Sequence, residues 1–479
     1  MNSGKAAIVV GSDHLFDDSL PMATVGGTRF LDLLLSRIRR RFPDTLKIFA
    51  MAYLNIQELS EALRDMVAAH GFEFFVADRD HTARLARVAR FHGLDHLVDI
   101  DVLHPLTSLH CLEAMLARHV AAGNDLTVCH NLPRTLAPVV VSAQAITTCK
   151  SFTVFGFARH YGLEPAAAPA GHYADCMLAR PGFFKAGLFE APIRWEGAGF
   201  DPFAEAFTSL SLADKENIPR LRNCVYTMGC DDFGVDEVID AVLIENMRRG
   251  WDKSDLFDTS YSVVDRDTMS TPEDFRKRTE AEVAWFVTAD PQFLGGADPA
   301  DLTVLELGCG HGRLLAVLAG QFREAHGTDA STERVMEARY RLRHSPNVHV
   351  TQNDGRSLSQ YGEAAFDRVF AHGVLVHINS KSIIDSYVRE MARVVRPGGR
   401  IKFDIYHGKD VFGIGPRHFI GARYTEEEIT ALFDACGLSL VHIDYALNQE
   451  YCRQARAGRE ISRLPLKQML VTGEKKARA

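Results

Sequence analysis

The chain of 479 residues has no excess of positive charge. Its 54 Lys and Arg residues are outnumbered by 62 Asp and Glu residues, which gives a formal net charge of −8. A nucleic-acid surface needs a basic face to neutralise phosphates, so we expect no nucleic-acid partner. A local basic cluster, Arg37 to Arg41, is more typical of a solvated helix end.

Paired cysteine motifs are also missing. The nine cysteines are scattered, with no Cys-x-x-Cys pair and no Cys/His spacing suited to zinc. An odd number of cysteines without a framework predicts reduced thiols and a cytoplasmic location. On this basis the sequence predicts no metal site.

Long apolar runs are absent as well. None approaches the ~20 residues that a membrane span requires, and the first residues show no charged-then-apolar leader pattern. We therefore expect neither a membrane span nor a secretory leader. The composition, 46% hydrophobic and 24% charged, is that of a globular protein. Because this length exceeds what one core usually holds, two domains are expected.

The most informative stretch is DLTVLELGCGHGR, from Asp301 to Arg313. An apolar strand predicted at Thr303 to Leu307 runs into a Gly-x-Gly-x-Gly turn. These glycines allow a tight turn and a close approach to a ligand, since no Cβ intervenes. The helix that follows points its N–H groups and positive dipole end at the same place.

Acidic residues follow at intervals that suit a nucleoside. A second strand, Glu324 to Asp329, ends in a carboxylate ~20 residues beyond the glycines, the distance that places an acid at a ribose diol. A dehydrogenase also fits this spacing, but its turn is Gly-x-Gly-x-x-Gly. A further acid precedes Gly355. A strand at Phe366 to Phe370, a helix at Lys381 to Arg396 and a strand at Ile401 to Tyr406 complete the pattern.

Residues 258–479 resemble the class I S-adenosylmethionine-dependent methyltransferases. The resemblance rests on VLELGCGHGR, GTDAS, NDG, FDRVFAHGVLVHI and VVRPGGR in this order. Strands predicted at Leu438 to Asp444 and near Leu466 to Val471 match the family's terminal antiparallel pair. The resemblance implies a Rossmann-like domain that binds S-adenosyl-L-methionine.

The resemblance also assigns residues to the cofactor. These are Glu306, Gly308, Cys309, Gly310, Asp329, Ala330, Asp354, Gly355 and His372. Glu306 and the first two glycines would cradle the methionine end, Asp329 the ribose hydroxyls, and Asp354 with Gly355 the adenine. His372 would lie beside the cofactor.

Transfer of a methyl group to a hydroxyl is helped by a base, and His is the side chain best matched to that role. Two candidates flank the fourth strand, His372 and His377. For each, a structural role remains the alternative. A helix predicted at Glu273 to Val287 would cover the cofactor cleft, as in relatives with similar leaders.

Residues 1–248 also alternate strands and helices, as at Ala6 to Val10 and Phe30 to Arg41. This alternation predicts a mostly parallel sheet with helices on both faces. The expected fold class of the chain is therefore α/β, with two doubly wound domains. They are a nucleotide-diphosphosugar-transferase-like domain at 1–248 and a Rossmann-like methyltransferase domain at 258–479.

The N-terminal half resembles the cytidylyltransferases of surface-polysaccharide and acidic-sugar synthesis. The residues that carry this resemblance are Ser19-Leu20-Pro21 with Gly26-Gly27, Phe74 to His92 running into LVDIDVLHPL, and Gly171 to Pro192. The family joins CTP to a sugar, so the resemblance implies a carbohydrate or nucleotide-sugar ligand.

This half departs from the family's pattern at charged positions. The signature loop normally carries an Arg before Leu-Pro and a Lys after it, where this chain has Ser19 and Ala23. The carboxylate expected two residues before Pro105 is Leu103, and Met228 takes the place of a second metal-binding acid. A triphosphate would lack the usual cations here. The resemblance therefore implies a degenerate domain.

Asp99 and Asp101 are displaced from the expected metal-binding position and are more typical of polar strand ends without a metal.

The combined prediction is an enzyme that O-methylates a carbohydrate or nucleotide-activated sugar in surface-glycan biosynthesis. Its partner would be a small-molecule or glycan-precursor acceptor, and a homo-oligomer is possible. One alternative is a bifunctional cytidylyltransferase and methyltransferase. A second is a non-catalytic binding or assembly protein of a glycan pathway.

Overall fold

The structure is a computed structural model. It describes residues 4–11, 24–25, 28–52, 61–78, 80–153, 172–192, 210, 212, 217–229, 232–254, 272–378, 380–408, 421–447 and 467–477. The described residues up to Val242 form one compact unit and those from Leu243 onward form another. We call them the N-terminal and C-terminal units. The predicted domain limits, 248 and 258, stay a prediction.

The N-terminal unit is built on a mixed sheet. In chain order its strands are β1 Ala6–Gly11, β2 Thr24–Val25, β3 Thr28–Arg29, β4 Leu46–Ala52, β5 Glu73–Ala77, β6 His96–Asp101, β7 Leu126–Cys129, β8 Val139–Ser142 and β9 Ala186–Phe189. Seven of them form a sheet in the order β5-β4-β1-β6-β8-β7-β9, and β2 pairs with β3 separately. Of these seven strands only β8 is antiparallel to the rest, since it pairs antiparallel with both of its neighbours, β6 and β7. The prediction of a mostly parallel sheet is confirmed.

Helices of the N-terminal unit alternate with these strands. They span Phe30–Arg41, Glu61–Ala69, His81–His92, Leu112–Ala122, Ala143–Thr153, Tyr173–Leu178, Ile218–Met228 and Val235–Ser254. The last of these contains the division between the two units. The strands β1, β4 and β6 are almost fully buried, and β1 and β4 are mostly apolar, as expected where a parallel sheet is covered.

The C-terminal unit contains the second sheet. Its strands are β10 Thr303–Leu307, β11 Glu324–Asp329, β12 Val348–Gln352, β13 Phe366–Ala371, β14 Val395–His407, β15 Arg423–Tyr424, β16 Leu438–Leu447 and β17 Lys467–Lys475. They are ordered β12-β11-β10-β13-β14-β17-β16, and β15 pairs with β14. All pairs are parallel except the two made by β17. The predicted terminal antiparallel pair is thereby confirmed, and the chain is an α/β protein.

Helices of the C-terminal unit occur at Pro272–Val283, Pro291–Leu294, Arg313–Leu318, Thr332–Arg341, Lys381–Val394 and Glu426–Ala435. Short 3-10 turns lie at Pro299–Asp301 and Leu375–His377, and a π-helical turn at Ala284–Thr288. The helix predicted to end at Arg396 ends at Val394 instead. Val395 has extended backbone and pairs with Phe366, so the strand β14 starts there.

The helix Lys381–Val394 anchors the core of the C-terminal unit. Its buried residues Ile384, Val388 and Met391 recur every three or four positions, so one face packs on the sheet. Burial of each such side chain contributes roughly 1.5–3 kcal/mol. Ile244, from the helix Val235–Ser254, belongs to the same core cluster. Among the described residues, no helix is both long and apolar enough to cross a bilayer.

Candidate active site

The glycine turn after β10 has the backbone that its sequence predicts. Gly308, Gly310 and Gly312 have φ angles of 74°, 51° and 76°, in the left-handed region that favours glycine. A Cβ atom at Gly308 would lie 2.3 Å from the Cγ2 atom of Val374. Glycine is therefore required here by backbone conformation and by the space available.

Asp329, the last residue of β11, holds this turn. One of its carboxylate oxygens accepts a hydrogen bond from the backbone N–H of Gly310 at 2.9 Å. The other accepts from the N–H of Ser331, also at 2.9 Å. Burial raises the pKa of Asp329 above its usual value. The carboxylate thus lies directly against the turn, at the position predicted for ribose binding.

Glu306 lies on β10, two residues before the first glycine of the turn. Its side chain is buried, and its Oε2 atom has no hydrogen-bond partner within the described part of the chain. Burial raises the pKa of Glu306 to about 8, although Arg313 and His372 oppose the shift. The carboxyl group therefore carries a proton at neutral pH in this environment. A buried polar oxygen of this kind needs a hydrogen-bond partner, which a bound ligand would supply.

Asp354 and Gly355 form a tight turn after β12. Asp354 accepts hydrogen bonds from the backbone N–H groups of Arg356 at 2.9 Å and Ser357 at 2.7 Å. Gly355 has a φ of 92°, and a Cβ atom there would lie 2.4 Å from Ile244 Cγ2. This turn is joined to the end of β11, since the N–H of Asn353 donates to the carbonyl of Asp329 at 3.0 Å.

His372, just beyond β13, lies between two carboxylates. Its Nε2 atom is 2.9 Å from Glu282 Oε1, and its Nδ1 atom is 3.5 Å from Asp404 Oδ2. Burial alone would lower its pKa, but Asp404 and Glu282 raise it to about 9. The imidazole is therefore cationic at neutral pH. It stacks at 4.2 Å between ring centroids on Phe286, in the π-helical turn.

The sequence did not predict the partners of His372. Glu282 also binds Arg313 through both guanidinium nitrogens, at 2.7 and 2.9 Å. Burial opposes its ionisation, but His372 and Arg313 hold the pKa of Glu282 well below its usual range. Asp404 additionally accepts from the N–H of Gly373 at 2.8 Å. The sequence signals for these two residues were weak. Glu282 is one acid near the end of the helix Pro272–Val283, and Asp404 is one acid within the strand β14.

The helix that precedes β10, which we call the leading helix, differs from its prediction. Instead of one helix from Glu273 to Val287, the structure has an α-helix that ends at Val283 and a π-helical turn at Ala284–Thr288. Such turns are frequent at functional sites. Here the turn places Phe286 against His372 and leaves Trp285 half-exposed, 5.8 Å from the same ring.

Three further residues of the predicted site, Cys309, Ala330 and His377, make backbone hydrogen bonds within the protein. Cys309 is buried, its N–H donates to the carbonyl of Thr328 at 3.1 Å, and burial raises its thiol pKa well above the usual value. The carbonyl of Ala330 accepts from Gln352 at 3.2 Å. His377 ends the 3-10 turn, where its N–H donates to Val374 at 3.0 Å. Their predicted roles stay predictions.

In the N-terminal unit, Asp99 is buried at the end of β6. His81 Nε2 and the Tyr173 hydroxyl each lie 3.0 Å from its Oδ2 atom. Burial would raise the pKa of Asp99, but His81 and its neighbours hold it below the usual value. Asp101 accepts from the N–H of Leu103 at 2.9 Å, a local turn contact.

The positions at which the N-terminal resemblance departs from the family's charged pattern are apolar or lie outside the described residues. Leu103 and Met228, at the positions of expected acids, are buried. Ser19-Leu20-Pro21, Ala23 and Gly26-Gly27 lie outside the described residues.

The C-terminal site fits an S-adenosyl-L-methionine ligand. The orphaned Glu306 oxygen, the glycine turn and the carboxylate of Asp329 meet at the carboxyl ends of parallel strands, where such sheets bind ligands. Residues 304–399 match a family described as "Methyltransferase domain". The C-terminal unit contains a methyltransferase domain. Its cofactor is S-adenosyl-L-methionine, so the predictions of enzyme class and cofactor are confirmed.

Two curated relatives match part of this chain. The "Methyltransferase GfsG" of Streptomyces halstedii is 35% identical over 102 residues, which cover 20% of this chain and 35% of the relative. The "Ubiquinone biosynthesis O-methyltransferase" of Serratia proteamaculans is 33% identical over 104 residues, which cover 22% of this chain and 42% of that protein. This chain thus spans less than half the length of each relative.

Among solved structures, the magnesium protoporphyrin IX methyltransferase of Synechocystis PCC 6803 aligns over its full chain and 48% of this one. The identity is 17% and the TM-score 0.34.

Proposed function

We propose that this protein methylates a hydroxyl group on a carbohydrate or nucleotide-activated sugar, a precursor of a surface glycan, in the cytoplasm. The observation that carries the methyl-transfer part is the meeting of Glu306, the glycine turn and Asp329 at one edge of the sheet. The carbohydrate part rests on the resemblance of the N-terminal unit. An O-methyltransferase among the matched relatives supports a hydroxyl acceptor.

The chain's own residues would bind the cofactor and orient the acceptor. S-adenosyl-L-methionine supplies an electrophilic methyl group on a cationic sulfur. Glu306 would face the cationic end, and Asp329 would accept hydrogen bonds from the ribose diol while it keeps the N–H of Gly310 in place. Alignment of the acceptor with the methyl group provides much of the rate.

We further propose that His372 accepts the proton of the acceptor hydroxyl. Its imidazole must be neutral for this, whereas Glu282 and Asp404 stabilise the imidazolium. The reaction would therefore speed up as pH rises through the pKa of about 9. Trp285, half-exposed beside His372, offers an aromatic face to a sugar or an aromatic acceptor.

The cofactor-binding part is tested by exchange of Asp329. Charge-assisted hydrogen bonds contribute about 1.5–3 kcal/mol each, so Asp329→Ala should weaken S-adenosylmethionine binding by at least about tenfold in calorimetry. Glu333→Ala removes an exposed acid from the next helix and serves as the matched control. Equal affinity of both variants for the cofactor would contradict the proposed site.

The acceptor class needs a separate measurement. The full chain is incubated with methyl-labelled S-adenosylmethionine and, in parallel, with nucleotide sugars, free sugars and a phenol or quinol. Label transferred to a nucleotide sugar or sugar supports the proposal. Label transferred only to the phenol or quinol would remove the carbohydrate part and leave the methyl transfer.

A bifunctional enzyme is the second candidate, favoured by the carboxylates at the end of β6. Asp99 and Asp101 lie at the carboxyl edge of the N-terminal sheet, where such folds bind nucleotides. Release of pyrophosphate from CTP, Mg²⁺ and a sugar acid would support it. Our primary proposal expects no release, because Leu103 and Met228 stand where acids are expected.

A further inference from the structure

A cluster of two histidines and one carboxylate lies at the opposite end of the C-terminal sheet from the proposed cofactor site. Glu324 begins β11, and Asp329 ends it. The two residues are five positions apart along the strand, a distance of about 16 Å, since a strand rises ~3.3 Å per residue. The cluster therefore has no part in the methyl-transfer site described above.

The fold places the three side chains on one face of the sheet. Glu324 and His326 are two positions apart on β11, and side chains at that spacing point to the same side. His349 is the direct partner of His326 in the parallel register of β11 and β12. Sequence spacing could not reveal this cluster, because the two histidines come together only through strand pairing.

The donor atoms converge. The Nε2 atoms of His326 and His349 lie 3.4 and 3.0 Å from the same oxygen, Glu324 Oε1. Ligand atoms around a tetrahedral zinc ion, at bonds of ~2.0–2.2 Å, are about 3.3–3.6 Å apart. All three potential ligand atoms lie within 4.8 Å of one another. The spacing is thus already close to that of a coordination shell.

His326 packs against aromatic side chains, whereas the other two side chains of the cluster face solvent. His326 is largely buried, with Phe366 at 5.0 Å and Tyr361 at 6.1 Å between ring centroids. The side chains of His349 and Glu324 are 47% and 39% exposed. Solvent can therefore reach the cluster and supply further ligands. The alternative is a surface ion pair between Glu324 and His349 with no metal ion.

We propose that Glu324, His326 and His349 form a binding site for a divalent first-row transition metal ion. Two imidazoles and one carboxylate suit zinc, cobalt, nickel or iron, and they disfavour Mg²⁺ and Ca²⁺, which take oxygen ligands. The ion would tie the edge strand β12 to β11. With three protein ligands, the coordination shell keeps an open position for water.

Cobalt is the probe of choice, because its visible spectrum reports the ligands. The full chain is titrated with Co²⁺ in the presence of excess Mg²⁺, and the bound ion is followed by its visible bands. Thiolate ligands would add a strong near-ultraviolet band, which separates this site from the scattered cysteines. We expect one bound ion without that band and a rise in the unfolding temperature.

Three variants decide the result. His326→Gln and His349→Gln should each weaken Co²⁺ binding at least tenfold, whereas His344→Gln, an exposed histidine outside the cluster, should bind as wild type. The exposed position of His349 keeps the test valid if His326→Gln fails to fold. Unchanged binding by His349→Gln, a thiolate band, or displacement of the ion by Mg²⁺ would overturn the proposal.

Discussion

At the scale of single residues, the charge state of Glu306 decides how the site meets a cationic ligand. The group is buried, its Oε2 atom has no partner among the described residues, and its pKa is raised to about 8. A positive charge placed beside it would favour the ionised form and lower that pKa. We therefore expect cofactor binding and proton release to be coupled at this residue.

We expect S-adenosylmethionine to release up to about one proton at pH 7 when it binds. Calorimetry in two buffers of different ionisation enthalpy measures that number. Glu306→Gln, which keeps the size of the side chain, should bind without proton release, and Glu333→Gln should behave as wild type. Release of the same number of protons by Glu306→Gln would refute this role.

The pH dependence of catalysis tests His372. With a folded pKa of about 9, the neutral imidazole becomes more abundant as pH rises from 7 to 9. We expect kcat/KM to increase about tenfold from pH 7 to pH 8 and about fivefold from pH 8 to pH 9, where the titration levels off, and His372→Asn to lose this rise. A profile for the wild type that is already flat from pH 7 to pH 9 would exclude His372 as the base.

At the scale of elements, the strand β10 and its glycine turn were predicted almost completely. The pattern of apolar residues and glycines is local, so the strand, the turn and the acid at the end of β11 could be located from the sequence. The contact of His372 with Glu282 joins residues 90 positions apart, and only packing creates it. The π-helical turn was missed for the same reason, since it adjusts the leading helix to the sheet.

The glycine turn offers a test at this scale. Gly308→Ala adds a methyl group 2.3 Å from Val374 at a φ of 74°. Backbone strain of ~1–2 kcal/mol and overpacking of ~1–3 kcal/mol predict a loss of about 2–5 kcal/mol in unfolding free energy. Gly362→Ala, where a methyl group would meet nothing within 4 Å, is the control in urea denaturation. Similar stabilities of the two variants would show that the turn relaxes.

At the scale of the whole molecule, the two units differ in how far the sequence can be interpreted. The C-terminal unit keeps its charged residues at the expected positions, so fold and cofactor could be predicted together. In the N-terminal unit the sheet was predicted, but the charges that would identify a reaction are replaced by Leu103 and Met228. None of the seven cysteines among the described residues forms a disulfide.

The buried ionisable groups of the site also set how stability varies with pH. The folded pKa of Glu306, about 8, exceeds the ordinary value of 4.5, so its contribution is complete below pH 4.5 and is lost as pH rises through 8. The contribution of His372 is complete below its ordinary pKa of 6.5 and is lost as pH rises through about 9. Glu282 acts in the opposite direction, because its pKa is lowered: its contribution is present above its ordinary pKa of 4.5 and is lost progressively as pH falls below that value.

We therefore expect the C-terminal unit to lose stability steadily between pH 6 and pH 9. Urea midpoints across that range measure the trend, followed by the fluorescence of Trp285 in a chain whose other two tryptophans, Trp195 and Trp251, are changed to Phe. Glu306→Gln should flatten the slope between pH 6 and pH 8, where the wild type must ionise a buried acid. Glu333→Gln should keep the slope of the wild type. A urea midpoint that rises with pH would contradict this expectation, because it would mean that Glu306 is ionised in the folded protein. The protein itself would then have to supply a partner for the Glu306 carboxylate.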